Sequence, residues 1–596
     1  MLTEVVVERV VECVSERSAV WLALADTDRL NRAAGMERLA LEPFDGESAA
    51  RFLIRTTLAG FEVSYEELPY EWQYLERFRV QRLMREGPVT QLTTSFATEP
   101  TSAGGTRVTL RVAATTPDPE MVEMVQMSAN FSLDGLSTAV QQLDAQLQKG
   151  EVVLPHRSGA VNAEALERAR LELTKQGHAV AGARLAELIS GGADDQVAAI
   201  RPYALADQWK LPRGQVLAAS LAGVRAGLLE LRWDLVCPSC RTGSTTVGSL
   251  AELSEHGSCQ LCDIDFGIDL DQSVEATFRP TAHVRPVDGG PYCIGGPSRT
   301  PHVLAQALLP AKGEAELTAP LEPGRYRLFV RGGETVLVEV EQGRAGELRL
   351  PEVSNEWPAK ALVAPGAKLV IASNGPAARH VKLERVAWAQ QAATARDVTL
   401  IPGFRRDFSN QLLKPGLALK VARVSLLFSD LTGSTALYSE AGDAAAFRLV
   451  LDHFDVLISA IEKRGGSVVK TIGDAIMAVF PDDASALAAA LDMLAVFETF
   501  RGSDALRART HVKLGLFGGP TYVVTANGVL DYFGQTVNVA ARLQGEAHSG
   551  EVVAPLALVE AVTDALSTRM LEVQRYSAQL KGIEAPLPVV RLRARS

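Results

Sequence analysis

The sequence has no run of the roughly 20 apolar residues that a membrane-spanning helix needs. Its longest apolar stretches, such as ALAAALDMLAVF, are shorter and carry an acid. The start, MLTEVVVERVVECV, alternates charge with valine rather than placing a basic segment before an apolar core, so it does not read as a secretory leader. A cytoplasmic chain without a membrane partner is the expectation. Cysteine is scarce, six in 596 residues, which excludes a disulfide framework. No acidic or basic tail stands out. The net charge of -11 disfavours broad nucleic-acid binding and leaves room only for a local basic patch.

What is present is chain enough for several cores. At about 100 to 200 residues per domain, this length implies three or more domains, and a hydrophobic fraction of 47% is ordinary for globular proteins. Residues 1–155 open on a valine-rich extended run and pass a helical stretch at SAVWLALADTDRLNRAAG. Strand-like runs follow at TQLTTSFAT and TRVTLRVAATT, then a helical pattern from Pro119 to Gln148. A sheet closed by one long helix fits that order. The phrase SERSAVWLALADTDRLNRAAGMERL, with Val20, Trp21, Asp26 and Asn31 in order, resembles the START/polyketide-cyclase-like (SRPBCC) helix-grip superfamily. That resemblance implies a sheet wrapped around a long helix, with an apolar cavity for a small hydrophobic ligand. A filled core without a ligand fits the same residues, since fold alone does not fix function.

Residues 156–235 read as helical. ADQWKLPRGQVLAASLAGVRAGLLELRW gives a helix, a turn at Lys210 to Gly214, a helix and a strand, the order of a winged-helix unit. DNA recognition needs a basic helix, and the second helix offers little beyond Arg213 and Arg225 among Ala, Leu and Val. A structural role is expected, with nucleic acid not a partner. Residues 236–270 carry CPSC (Cys237 to Cys240) and CQLC (Cys259 to Cys262), 18 residues apart. Two residues between cysteines let both thiolates face one ion, and two such knuckles complete a tetrahedral four-sulfur shell. This predicts a zinc ribbon whose Zn²⁺ is structural, since no ligand position stays open. His256 finds no place in that shell, and Cys13 and Cys293 read as small apolar residues.

Residues 271–395 are β-rich, with turn signals at Pro323-Gly324, Gly332-Gly333 and Gly343, and predict an antiparallel sandwich without a catalytic constellation. RPYALADQW, LLELRWDLVCPSC and CIGGPSRTPH resemble a bacterial family in which a helix-grip domain, a zinc-ribbon-bearing middle and a β domain precede a cyclase. That resemblance implies regulation or assembly. Residues 396–420, with PGFRRDFSNQLL and KPGLALK, read as a helical linker able to transmit movement.

Residues 421–596 predict a β-α-β-β-α-β ferredoxin-like core. Its elements are a strand at Val424 to Phe428, a helix from Asp443 to Lys463, a hairpin through SVVKTIGDAIMAVF and a helix from Asp483 to Phe500. A strand at HVKLGLF, a hairpin through VLDYFG and a helix at QTVNVAARLQGEA follow. The whole chain is thus multidomain α+β. Asp430 and Asp474 fall at strand ends, and a pair of hard oxygen ligands beside a nucleotide is what magnesium requires. GGSVVKT superficially suggests a P-loop, but Val469 stands where glycine must precede the lysine.

FSDLTGST, KTIGDA, LDYFGQTVNVAAR and QLKG resemble the successive signatures of class III adenylyl/guanylyl cyclases, across about 30% of the chain. The resemblance implies that Asp430 and Asp474 bind two Mg²⁺ or Mn²⁺ ions. It implies that Lys470 and Asp531 select the purine, that Asn538 and Arg542 orient ribose and stabilise the pentavalent phosphorus, and that Lys581 contacts the triphosphate. Each alone has a bland reading, as a turn cap, a solvated strand lysine or a surface arginine. All seven in order argue for catalysis. Adenine presents an acceptor at N1 and a donor at N6, which suits a donating Lys470 and an accepting Asp531, whereas guanine presents the reverse. Guanylyl cyclases usually carry Glu and Cys there, so ATP is the expected substrate, a guanylate cyclase or a ligand-sensing module with weak or no cyclase activity being the alternatives. In this family each site lies between two catalytic domains, which implies a symmetric homodimer. Phe517 in LFGGPT departs from a position that is often polar in the family.

Overall fold

The computed structural model describes residues 2–44, 50, 52–58, 61–157, 159–238, 243–259, 264–287, 291–331, 333–351, 357–386, 392–433, 442–562 and 571–594. The first strand, Thr3–Cys13, pairs antiparallel along its whole length with Thr106–Thr116. Its valines alternate: Val5, Val7 and Val11 are buried while Val6 and Val10 are exposed, the period of two that puts one strand face on a core. Gln91–Pro100 and Arg77–Met84 continue the sheet. The helix Val122–Lys149 buries Val125, Ala129, Leu133, Leu136, Val140 and Leu143, at the three- and four-residue spacing of one helical stripe. That stripe shares a core with Val7, Trp21, Leu24 and Leu110, and each fully buried large apolar side chain contributes roughly 1.5–3 kcal/mol. Gly150, at φ +66°, ends the helix in the left-handed cap that glycine adopts without strain.

In the middle of the chain, helices Ala163–Lys175, Ala179–Gly191, Pro202–Trp209 and Arg213–Arg225 share a core with a sheet in which Leu229–Val236 lies between Gly243–Val247 and Val274–Pro280. Val274–Pro280 falls in the range read from sequence as the start of the β-rich region, yet it belongs to this layer. It is buried along nearly all its length, so it has none of the alternation that marks a sandwich strand. Arg213 pairs with Asp207, and Arg225 with Asp407 and Gln176. Both arginines of the second helix are thus engaged within the protein. Arg285 is fully buried and donates to Asp194 and to the carbonyls of Ile189 and Gly192. Pairing with Asp194 and these carbonyl bonds offset the cost of burying the charge, although Nε has no partner among the described residues.

The β-rich region has two layers on one core. In one, Gly313–Leu317, Lys368–Ser373 and Glu347–Leu350 form a small sheet. The other layer, containing Val303–Leu309, Arg379–Arg385 and Gly324–Val330, is not free-standing. Val303–Leu309 pairs with Glu71–Gln73, so that among the described residues a single 13-stranded sheet runs from the N-terminal strands into this layer. The open edge of the short strand Glu71–Gln73 explains the union: Trp72 donates its indole N–H to the Val303 carbonyl at 3.1 Å.

The C-terminal sheet runs in the order Ser467–Ile472, Ala475–Phe480, Leu419–Thr432, His511–Ala526, Glu551–Pro555, Leu587–Ala594, Leu571–Ala578. Helices Asp443–Lys463 and Asp483–Arg501 bury one face with Leu427 and Phe480. Helix Gln535–Glu546 covers the other. Its close approach requires Gly515, where a Cβ would lie 2.0 Å from the Gln544 nitrogen. Phe404, Phe408, Leu413 and Leu417 of the linker join a core with Leu530 and Tyr532 of the C-terminal region. Among the described residues no helix is long and apolar enough to cross a membrane.

Candidate active site

The strand Leu419–Thr432 carries Asp430 near its end, and the hairpin between Ser467–Ile472 and Ala475–Phe480 carries Asp474 in its two-residue turn. Gly473, at φ +62°, makes that turn tight. Phe428 is the partner of Met477 across the sheet, and Ser429 Oγ accepts from the Ile476 N–H at 3.0 Å. The antiparallel register therefore brings both aspartates to one end of the sheet. Asp474 Oδ2 is buried and has no hydrogen-bond partner among the described residues. An unsatisfied buried carboxylate oxygen is costly, and together with a second carboxylate nearby it forms the hard-oxygen donor set that fits a divalent cation. Asp430 Oδ2 lies 2.8 Å from Lys513 Nζ.

Lys470 and Asp531 come from different strands and meet: Lys470 Nζ donates to Asp531 Oδ2 at 2.5 Å. Asp531 Oδ1 also accepts the Tyr532 N–H at 2.8 Å, which fixes the carboxylate plane. Asn538 and Arg542 sit four residues apart on Gln535–Glu546 and so share a face. The Arg542 guanidinium lies 3.5 Å from where a Cβ on Gly582 would stand, so the turn after Lys581 leaves room for it. Lys581 and Asn538 are exposed. No hydrogen bond or ion pair among the described residues joins Asp430 or Asp474 to Asn538, Arg542 or Lys581. The chain presents the aspartates and the helix-borne pair as separate groups.

Three residues near the site escaped the motif reading. Lys513 is the lone charge in HVKLGL, and only its cross-strand register reveals its partner. Arg405 of the linker donates to the Leu530 carbonyl and holds its guanidinium 5.2 Å from the Tyr532 ring centroid, flanking Asp531 on both sides. His453 is buried on Asp443–Lys463 beside the backbone of Asp474, with Nδ1 2.6 Å from the Val450 carbonyl oxygen. Burial holds its ring below the usual histidine range.

Of the four cysteines with zinc-ligand spacing, Cys237 directly follows the strand Leu229–Val236 and Cys259 closes the strand His256–Cys259; both are buried. Cys240 and Cys262 lie outside the described residues, as do Ser434 and Thr435 of the FSDLTGST motif. Burial, with Asp144 and Glu12 adding to it, pushes the Cys13 thiol up to about 12. Burial raises Cys293 as well, where Thr27 and Tyr70 hydroxyls contact the sulfur.

A second recess lies in the N-terminal region, with a volume of about 640 Å³. Met124, Val125 and Phe131 of the long helix line one side and Val63, Leu92 and Val112 of the sheet the other. Phe131 is 74% exposed at its mouth. Tyr292 closes part of the wall from far along the chain, held by the Asn31 side chain, which donates to its carbonyl at 3.0 Å.

Residues 418–586 match the family model of the adenylate and guanylate cyclase catalytic domain, and residues 166–291 match a family of unknown function. An adenylate cyclase of Anabaena cylindrica is 31% identical over 140 residues, 22% of this chain and 28% of that protein. A pH-sensitive adenylate cyclase of Mycobacterium tuberculosis is 34% identical over 143 residues, 24% of this chain and 33% of that protein. The chain thus spans about a third of the length of these curated relatives. The crystal structure of the adenylyl cyclase CyaB from P. aeruginosa aligns over 30% of this chain and 97% of that one, at 21% identity and a TM-score of 0.27.

Proposed function

We propose that the adenylate/guanylate cyclase catalytic domain at residues 418–586 converts ATP to 3′,5′-cyclic AMP and pyrophosphate in a homodimer. The preceding regions regulate it. The observation that carries the choice of ATP is the contact between Lys470 and Asp531. A donor and an acceptor stand side by side, and adenine can replace each partner with one of like polarity: N1 for the carboxylate, the N6 amino group for the ammonium. Guanine would set a donor against the ammonium and an acceptor against the carboxylate, leaving both unpaired.

Asp430 and Asp474 would hold divalent cations, which when bound supply the Lewis acidity and charge neutralisation that phosphoryl chemistry needs. Asn538 orients the ribose so that its 3′-oxygen faces the α-phosphorus in line. Arg542 supplies a fixed planar cation for the charge that grows on the α-phosphate. Lys581 neutralises the triphosphate as a point charge.

Two observations support a homodimer. The aspartates and the Asn538–Arg542 pair are not joined within one chain, as expected if each completes a site on a partner. The catalytic region also exposes Phe447 at 58% and Phe533 at 69%, with Ile472 next to the Gly473–Asp474 turn, large apolar side chains that a partner would cover. A structural zinc on Cys237, Cys240, Cys259 and Cys262 is part of the same reading, supported by the position of two of them at strand ends. So is a small apolar ligand in the N-terminal cavity, supported by its volume and lining.

The test is turnover by the purified full-length protein given ATP or GTP with Mg²⁺ or Mn²⁺, the cyclic product identified by chromatography. Cyclic AMP in clear excess is expected. Equal or faster GTP turnover sinks the choice of ATP, and absence of both products sinks the cyclase reading. Mixing inactive Asp430→Ala and Arg542→Ala proteins should restore activity at one of the two heterodimer sites. No restoration after subunit exchange refutes sharing.

A further inference from the structure

On the reading that Asp430 is a metal ligand, we propose that Lys513 is a resident counter-ion that competes with the divalent cation for Asp430 and thereby sets the enzyme's metal requirement. Asp430 and Lys513 are direct partners across the strands Leu419–Thr432 and His511–Ala526. Directly opposed residues on an antiparallel pair project from the same face, and here the charged ends meet, Nζ to Oδ2 at 2.8 Å. Two positions further along the same strand face is Gly515, against which Gln535–Glu546 packs. Lys513 therefore belongs to the sheet face that carries the Arg542 helix.

The two carboxylates at this end of the sheet are unequally prepared. Asp474 keeps a buried oxygen without a partner, whereas Asp430 is already neutralised. A divalent ion can reach Asp474 without displacing another cation. To reach Asp430 it must break the ion pair, and until the ammonium moves away the two positive charges repel each other. Lys513 is only partly shielded, with 23% of its side chain accessible, so it can swing aside without unfolding the strand. The displaced ammonium then finds the substrate's phosphates as its next counter-charge. Metal and nucleotide binding are coupled through one side chain.

The experiment measures Mn²⁺ binding to the full-length protein, without nucleotide, by the electron paramagnetic resonance of the free ion. Four proteins are compared: wild type, Lys513→Met, Lys513→Arg and Asp430→Asn, each checked for an unchanged thermal midpoint. Lys513→Met should bind Mn²⁺ more tightly by roughly fivefold, the scale of one partly exposed ion pair. Lys513→Arg, which keeps the charge, should stay near wild type. Unchanged or weaker binding by Lys513→Met overturns the inference. If Asp430→Asn binds Mn²⁺ as wild type does, or if no variant binds, Asp430 is not a metal ligand and the underlying reading fails with it.

Discussion

The N-terminal cavity and the candidate active site are built by opposite rules. The cavity is shaped by a whole sheet and a 28-residue helix, and its apolar lining includes methionine, leucine and valine side chains that many other apolar residues would replace at modest cost. The candidate active-site residues stand on strand ends, a hairpin turn and one helix face, and on the proposed function they depend on a few charged groups whose polarity cannot be exchanged. On the proposed function, affinity in the first would come from area and shape, and chemistry in the second from single atoms. Mutations should divide accordingly: all-or-none effects in the catalytic region, graded ones in the N-terminal region.

The largest expected effect tests the catalytic side. Arg542→Ala should lower the maximal rate of cyclic AMP formation by about 10²–10³-fold, the usual loss when one preorganised charge stabiliser is removed. A drop of less than tenfold, measured at saturating ATP, would put Arg542 outside the chemistry. Next comes polarity: Lys470→Glu combined with Asp531→Cys should reverse the ATP-to-GTP preference, by about 10²-fold or more on the scale of mismatched buried hydrogen bonds. An unaltered ratio would mean that the pair is structural. In the N-terminal region, Leu133→Ala removes a fully buried helix residue and should cost about 2–5 kcal/mol, seen as a lower melting midpoint. The turnover per folded molecule should stay unchanged. Ala129→Phe, which fills the cavity from the helix side, should abolish uptake of an apolar fluorescent probe while leaving the basal rate intact.

The smallest effect concerns pH. Asp144 accepts hydrogen bonds from the Val14 and Ser15 N–H groups and from the Gln148 side chain. Burial pushes its carboxyl up, but these bonds outweigh burial and hold it below the usual aspartate range. A carboxyl depressed in the folded state stabilises the protein above its ordinary pKa, a contribution lost as pH falls through the lower folded value. Asp144→Asn should therefore flatten the fall in melting midpoint between about pH 5 and pH 3, without altering the neutral-pH rate.

The catalytic region was legible because its chemistry demands particular residue types. Lys470 and Asp531 stand 61 residues apart and still meet, and each element expected between Val424 and Ala547 has a counterpart in the structure. Lys513 was not legible, since a lone strand lysine reads as solvated until the register sets it opposite Asp430. Val274–Pro280 escaped for a different reason. A strand buried on both faces carries no period of two, and nothing local assigns it to one sheet rather than another. The union of the N-terminal and β-rich sheets rests on one short edge, with Ala305 opposite Gln73 and Gln306 opposite Trp72 and a few hydrogen bonds from residues 70–74 beside them. A contact so small and so distant leaves no pattern in the sequence.

That small contact also bears on how the chain folds as it is made. Tyr70 meets Gln306 across 236 residues, so at about 5–20 residues per second the N-terminal sheet waits roughly 10 to 50 s after leaving the ribosome before its partner strand exists. Throughout that interval the edge at Glu71–Gln73 is open to pairing with any other extended chain. A nascent-chain stall between residues 155 and 300 would prolong this exposure. Aggregation of arrested chains, more than of finished protein, is the cost of joining the two regions by one edge.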